Sequence, residues 1–156
     1  MSHETYCKLI DGFCSLIGFD DPASLYERAE LAIDGEDCVI MHGGPHNEDD
    51  IAVFCIYGQP PEQDADLILQ RLLEANLTLM SPGRLRFAVD SVTNDVMVTG
   101  MMPMSGMSSE TLLALLVELA RQARDWRQHY FLGAINEHES YDCLPVSSAP
   151  KARRLS

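Results

Sequence analysis

The residues best suited to chemistry lie between 42 and 50. His42 and His46 flank Gly43-Gly44-Pro45, and Glu48, Asp49 and Asp50 follow. Imidazole nitrogens with carboxylate oxygens suit a divalent transition metal. Two histidines four apart align on a helix, but Gly-Gly-Pro forbids a helix here, so the segment reads as a polar hairpin loop. The cysteines Cys7, Cys14, Cys38, Cys55 and Cys143 are odd in number and form no C-x-x-C pair, so they read as reduced thiols, several of them small core residues. Ser15, Ser105 and Ser108 lack a Gly-x-Ser-x-Gly setting. Gly43-Gly44 and Gly106 match neither the dinucleotide fingerprint nor the P-loop. The acid pairs Asp20-Asp21 and Asp49-Asp50 fall in turns. The sequence therefore predicts no catalytic residue, no metal site and no cofactor. The least favoured alternative is a small metal-dependent enzyme using His42, His46 and Asp49 or Asp50.

Composition bounds the class and the partners, and the acidic balance also serves solubility. The chain has 156 residues, 46% of them hydrophobic and 22% charged, which suits a single globular domain. Net charge is −13; the first 150 residues hold 8 bases against 24 acids, or −16. Such a field disfavours nucleic acid and anionic membrane surfaces and favours basic or polar partners. No apolar run has membrane-spanning length and no basic-then-apolar leader is visible, so a cytoplasmic protein is expected, with no membrane insertion.

The elements that would position these residues follow from periodicity. Tyr6, Leu9, Ile10, Phe13, Leu16 and Ile17 form one stripe of a helix over 5–18, stopped by Gly18. Strands are predicted over 28–33 and 38–41, joined by the Asp34-Gly35 turn signal, and over 51–57. A second helix covers 64–77. A second hairpin covers 85–102, with Thr93-Asn94-Asp95 as its turn. A third helix covers 109–131, with Ser108 as N-cap. The predicted class is α+β, an antiparallel sheet of about five to six strands with three helices: helix, three strands, helix, two or three strands, helix. The domain spans 1–132. Residues 133–156, ending in Lys151-Ala152-Arg153-Arg154, are expected to be a partly disordered tail.

Two patterns imply partners. At about 100° per residue, the apolar residues of the second helix, Leu67 apart, span an arc of about 200°, wider than the stripe of roughly 100° that one buried face requires. A second copy of the chain is the simplest occupant of the extra face, which predicts a homodimer. Met97, Met101, Met102, Met104 and Met107 fall close together. Met101 and Met102 are consecutive on a strand, so one of them must leave the main core, and flexible methionine suits surfaces that accept varied partners.

The order of segments resembles type III secretion chaperones of the Tir-chaperone (CesT-like) family. The resemblance rests on Phe13, Leu16 and Ile17-Gly18 in the opening helix, on Leu31-Ala32-Ile33-Asp34-Gly35, and on Ile56-Tyr57-Gly58-Gln59-Pro60-Pro61. It continues through Leu72-Leu73-Glu74-Ala75-Asn76-Leu77, then Pro82-Gly83, then a Pro103 segment leading to a helix with Trp126. It implies a non-enzymatic homodimer that holds the N-terminal region of a secreted effector extended and soluble. Leu67, Ile68, Leu72, Ala75 and Leu77 would then line the dimer interface. Phe13, Leu16, Val39, Met41, Val53 and Cys55, with Met101 and Met104 from the methionine-rich stretch, are the candidates for effector contact. Half of the first six must be ordinary core, because strand residues of one parity always are. The resemblance leaves the secretion-system ATPase open as a further partner. A module of the same fold working outside secretion stays as the alternative.

Overall fold

The structure, a computed structural model, describes residues 2–44, 47–78 and 85–132. The tail 133–156, with Cys143, and the loop residue His46 lie outside them. The elements are α1 (Ser2–Ile17), β1 (Arg28–Ile33), β2 (Glu36–His42), β3 (Asp50–Gly58), α2 (Ala65–Thr78), β4 (Arg86–Val89), β5 (Val96–Pro103) and α3 (Ser109–His129). Short 3-10 turns at Pro22–Leu25 and Glu62–Asp64 precede β1 and α2. The five strands form one sheet in the order β1-β2-β3-β5-β4, every neighbouring pair antiparallel. This is the α+β order expected, with two strands between α2 and α3 among the described residues.

Local chemistry sets the boundaries. Asp34 and Gly35 both adopt positive φ, 52° and 85°, the conformation that a two-residue hairpin needs to match strand twist. Ser108 caps α3 by accepting a hydrogen bond from the Thr111 N–H at 3.2 Å. At the other end Tyr130 and Phe131 take left-handed φ, 47° and 57°, and turn the chain back.

One sheet face is sealed. Cys38, Ile40, Ile51, Val53, Cys55, Tyr57, Val96, Val98 and Met102 form a single core cluster with Tyr6, Ile10, Phe13 and Cys14 of α1, Ile68 and Leu72 of α2, and Leu112, Leu116, Leu119, Ala123 and Trp126 of α3. Ser109 Oγ donates to the Leu9 carbonyl at 2.9 Å and ties α3 to α1. Glu36, the buried charged residue at the start of β2, is paired with Arg127 of α3. Arg127 also donates to the Tyr57 carbonyl at 3.0 Å. Burying that carboxylate is tolerable only with such a partner, and the pairing extends β2 two residues beyond the strand predicted from apolar pattern alone.

Candidate partner-binding surface

Side chains alternate across a strand, so every residue between two core positions points to the other face. On β2 these are Val39 and Met41; on β3, Ala52, Phe54 and Ile56; on β5, Met97, Thr99 and Met101. The cross-strand pairs Met41–Ala52–Met101 and Val39–Phe54–Thr99 form rows over three adjacent strands, and Ile56–Met97–Ala88 a third row reaching β4. None of these side chains belongs to the cluster that the helices seal. Met41, Phe54, Ile56, Met97 and Met101 are half-exposed; Val39 and Ala52 are covered mainly by their neighbours on the sheet. The result is a continuous apolar outer face, rich in methionine, bounded by Arg28, Glu30, Asp37 and Arg86.

The sheet's two edges differ. Ile33 and Glu36 flank the two-residue turn and therefore exchange both hydrogen bonds. Alternation then ties Leu31 and Ala29 to β2 and turns the backbone groups of Arg28, Glu30 and Ala32 outward. Their exposed side chains lie on the outer face, with Arg28 and Glu30 paired at 2.7 Å. The β1 edge can thus accept a strand. At the β4 edge, the Asn76 side chain accepts from the Phe87 N–H at 2.7 Å and donates to the Phe87 carbonyl at 3.0 Å. One amide of α2 occupies the place that a strand would take.

The effector candidates divide. Val39, Met41 and Met101 lie on the outer face, and Leu16 is exposed at the end of α1 near exposed Phe19. Phe13, Val53, Cys55 and Met104 are sealed in the core, where they offer no surface. Phe54, Ile56 and Met97 complete the face; the parity opposite Val53 and Cys55 is the signal that finds Phe54 and Ile56. The dimer candidates divide as well. Ile68 and Leu72 are buried within the chain and Ala75 is half-buried, whereas Leu67 and Leu77, joined by Leu73, point outward.

The metal-ligand reading meets a specific obstacle. The Gly44 N–H donates to His42 Nδ1 at 3.4 Å, which leaves Nε2 to donate to the Glu48 carbonyl at 2.9 Å. Both ring nitrogens serve the β2–β3 loop. Among the described residues no group of three or more His, Cys, Asp or Glu side chains could hold a metal ion. Burial pushes the Cys14 thiol up, and a hydrogen bond with the Cys38 side chain first, then burial, does the same for Cys55, which keeps both away from nucleophilic thiolate. No described helix is long and apolar enough to cross a membrane.

A sequence profile of the Tir chaperone protein (CesT) family matches residues 8–127. No curated protein matches the chain by sequence. Among solved structures, the Yersinia pestis type III secretion chaperone SycH, in complex with a stable fragment of YscM2, shares 21% identity with a TM-score of 0.58, covering 77% of this chain and 98% of its own. The HopA1-SchA chaperone-effector complex gives 19% identity and a TM-score of 0.63 over 82% of this chain and 97% of the matched one. The ExsC-ExsE complex gives 17% and 0.63 over 81% and 93%. At these identities the likeness establishes the fold.

Proposed function

We propose that this chain, which belongs to the Tir chaperone protein (CesT) family, is a type III secretion chaperone that holds the N-terminal segment of a secreted effector extended on its surface, keeping it soluble and ready for export. It works in the bacterial cytoplasm as a homodimer and catalyses nothing. The observation that carries this reading is the outer sheet face: Met41, Phe54, Ile56, Met97 and Met101 stand half-exposed in one patch beside a free β1 edge. Contiguous apolar area of that kind marks an interaction surface. An extended segment can lay alternate side chains on the patch while its backbone pairs with β1, one of the recurring modes of peptide recognition. Methionine side chains repack at small cost and tolerate more than one sequence. The three similar structures are themselves complexes of two proteins, which supports a protein partner here.

Leu73 and Leu77, one turn apart on one side of α2, are 70% and 72% exposed, and Leu67, on another side of the helix, is 44% exposed, apolar area that water does not favour. A second copy of α2 packed across them gives the homodimer. The acidic surface suits a basic or polar effector segment and repels nucleic acid. Co-expression with a candidate effector tests the reading. Soluble complex should form with the effector's N-terminal segment alone and fail when Phe54 and Met101 are both changed to Asp. Binding that ignores those changes would sink the outer face as the site.

A further inference from the structure

Met41 of β2 and Met97 and Met101 of β5 stand half-exposed on the outer sheet face, Met41 and Met101 on either side of Ala52 in one row. Strand surfaces favour β-branched and aromatic residues, so three thioethers there bring a chemistry that apolar contact does not require. Each can take up an oxygen atom and become a polar sulfoxide. The neighbouring methionines are placed differently. Met102 and Met104 are only 7% and 6% exposed, within the core cluster. Met107 packs against that cluster in a groove it shares with Leu9 of α1. The thioethers on the outer face therefore lie outside the packing that holds the fold, and a sulfoxide there alters the surface while the core stays apolar. Cysteine, ordinarily a competing target, is withdrawn among the described residues. Cys14, Cys38 and Cys55 are buried and Cys7 is half-buried. Burial first raises the thiols of Cys7 and Cys14, and the hydrogen bond with Cys38 first raises that of Cys55. A thiol reacts through its thiolate, whereas a thioether has no proton to lose.

We propose that Met41, Met97 and Met101 are modification sites through which oxidation closes the outer face to an extended partner. This regulation rests on the outer face as the binding surface of the preceding section. Hydrogen peroxide gives one oxygen to each sulfur: the O–O bond breaks as the S–O bond forms, the thioether loses two electrons, and the peroxide takes them and leaves as water. A sulfoxide reductase reverses the step with a dithiol, which becomes a disulfide as the oxygen leaves as water. Each sulfoxide oxygen is an acceptor that an apolar partner would dehydrate without supplying a donor, about a tenfold loss of affinity apiece. A bound segment shields the same sulfurs, so the unloaded protein is the form that is modified.

The test treats the free full chain with hydrogen peroxide, quenches with catalase and maps oxygen addition by peptide mass spectrometry. Met41, Met97 and Met101 should be converted several-fold faster than Met102 and Met104. Binding is then titrated with a synthetic peptide of the segment protected in the partner that the chain captures from its own bacterium. Relative to its own untreated state, wild type should lose at least about tenfold in affinity. Methionine sulfoxide reductase with dithiothreitol should restore it, and dithiothreitol alone, which returns only cysteines, should not. On the same relative measure, Met41→Leu with Met97→Leu and Met101→Leu should lose less than about twofold, and Met107→Leu should lose as much as wild type. Equal conversion of exposed and buried methionines, a wild-type loss of less than about twofold, or the same loss in the triple variant overturns the proposal. If no partner is captured, the chaperone reading fails by itself. Nile red fluorescence on the free chain then decides: a fall on oxidation that the triple variant resists supports the outer face as the oxidised switch, and an equal response in both overturns it.

Discussion

The side-chain amide of Asn76 holds both backbone groups of Phe87, accepting from its N–H at 2.7 Å and donating to its carbonyl at 3.0 Å. A residue of α2 thereby stands in for a sixth strand at the β4 edge. The contact fixes the helix beside the sheet and leaves β1 as the edge open to a partner. It also closes that edge to pairing with another strand.

Asn76→Ala removes two half-buried hydrogen bonds and exposes the β4 edge. The loss should be about 2 kcal/mol, lowering the thermal midpoint by roughly 4–8 °C. Asn76→Asp keeps the acceptor but sets a carboxylate oxygen against the Phe87 carbonyl, so it should cost at least as much as Asn76→Ala. Thermal unfolding with light scattering also checks whether the freed edge promotes self-association.

Neighbours on β3 should behave oppositely. Val53 is sealed in the core and Phe54 stands on the outer face. Val53→Asp buries an unpaired carboxylate and should cost more than about 4 kcal/mol, enough to unfold the protein. Phe54→Asp should change stability by less than about 1 kcal/mol while abolishing partner binding. Equal destabilisation by the two, read from urea unfolding, would place Phe54 in the core instead.

α2 offers a parallel contrast. Leu72 is buried within the chain and Leu73 is exposed. Leu72→Asp should unfold the protomer. Leu73→Asp with Leu77→Asp should leave the circular dichroism spectrum intact and give a light-scattering mass near one chain of 17.4 kDa. A wild-type mass of one chain at every concentration would remove the homodimer.

Stability should fall at alkaline pH. Burial pushes the Tyr6 phenol up to about 12 from 10, and a hydrogen bond to Asp11 first, then burial, does the same for Tyr26. A raised acid group favours its protonated form in the folded chain, so its contribution is complete below pH 10 and disappears between 10 and 12. Tyr6→Phe and Tyr26→Phe together should flatten the thermal midpoint across that window. An unchanged slope would contradict the assignment.

Much of this architecture is legible in the sequence, for identifiable reasons. β1 is read to the residue because Asp34-Gly35 is a strong local turn signal. The order of helices and strands follows from periodicity. Parity is harder: Val53 and Phe54 are both apolar, and which one faces the helices depends on packing far away in sequence. For that reason the sequence offers Val53 and Cys55 as effector candidates and passes over Phe54 and Ile56. Glu36 is likewise invisible as a strand residue until Arg127, on α3, supplies its counter-charge. In α2 the apolar arc is wide, but the leucine that helical geometry leaves outside it, Leu67, is one of the three that point outward.

Affinity capture of the tagged full chain from the bacterium that encodes it, under conditions that induce secretion, separates a chaperone with a dedicated partner from a protein without one. Limited proteolysis and mass spectrometry of what co-purifies would map the contact. One dominant protein should co-purify, protected along a segment near its N-terminus, and should be lost when Phe54 and Met101 are both changed to Asp. Capture of no partner, or of one held equally well by that double variant, would contradict the chaperone reading.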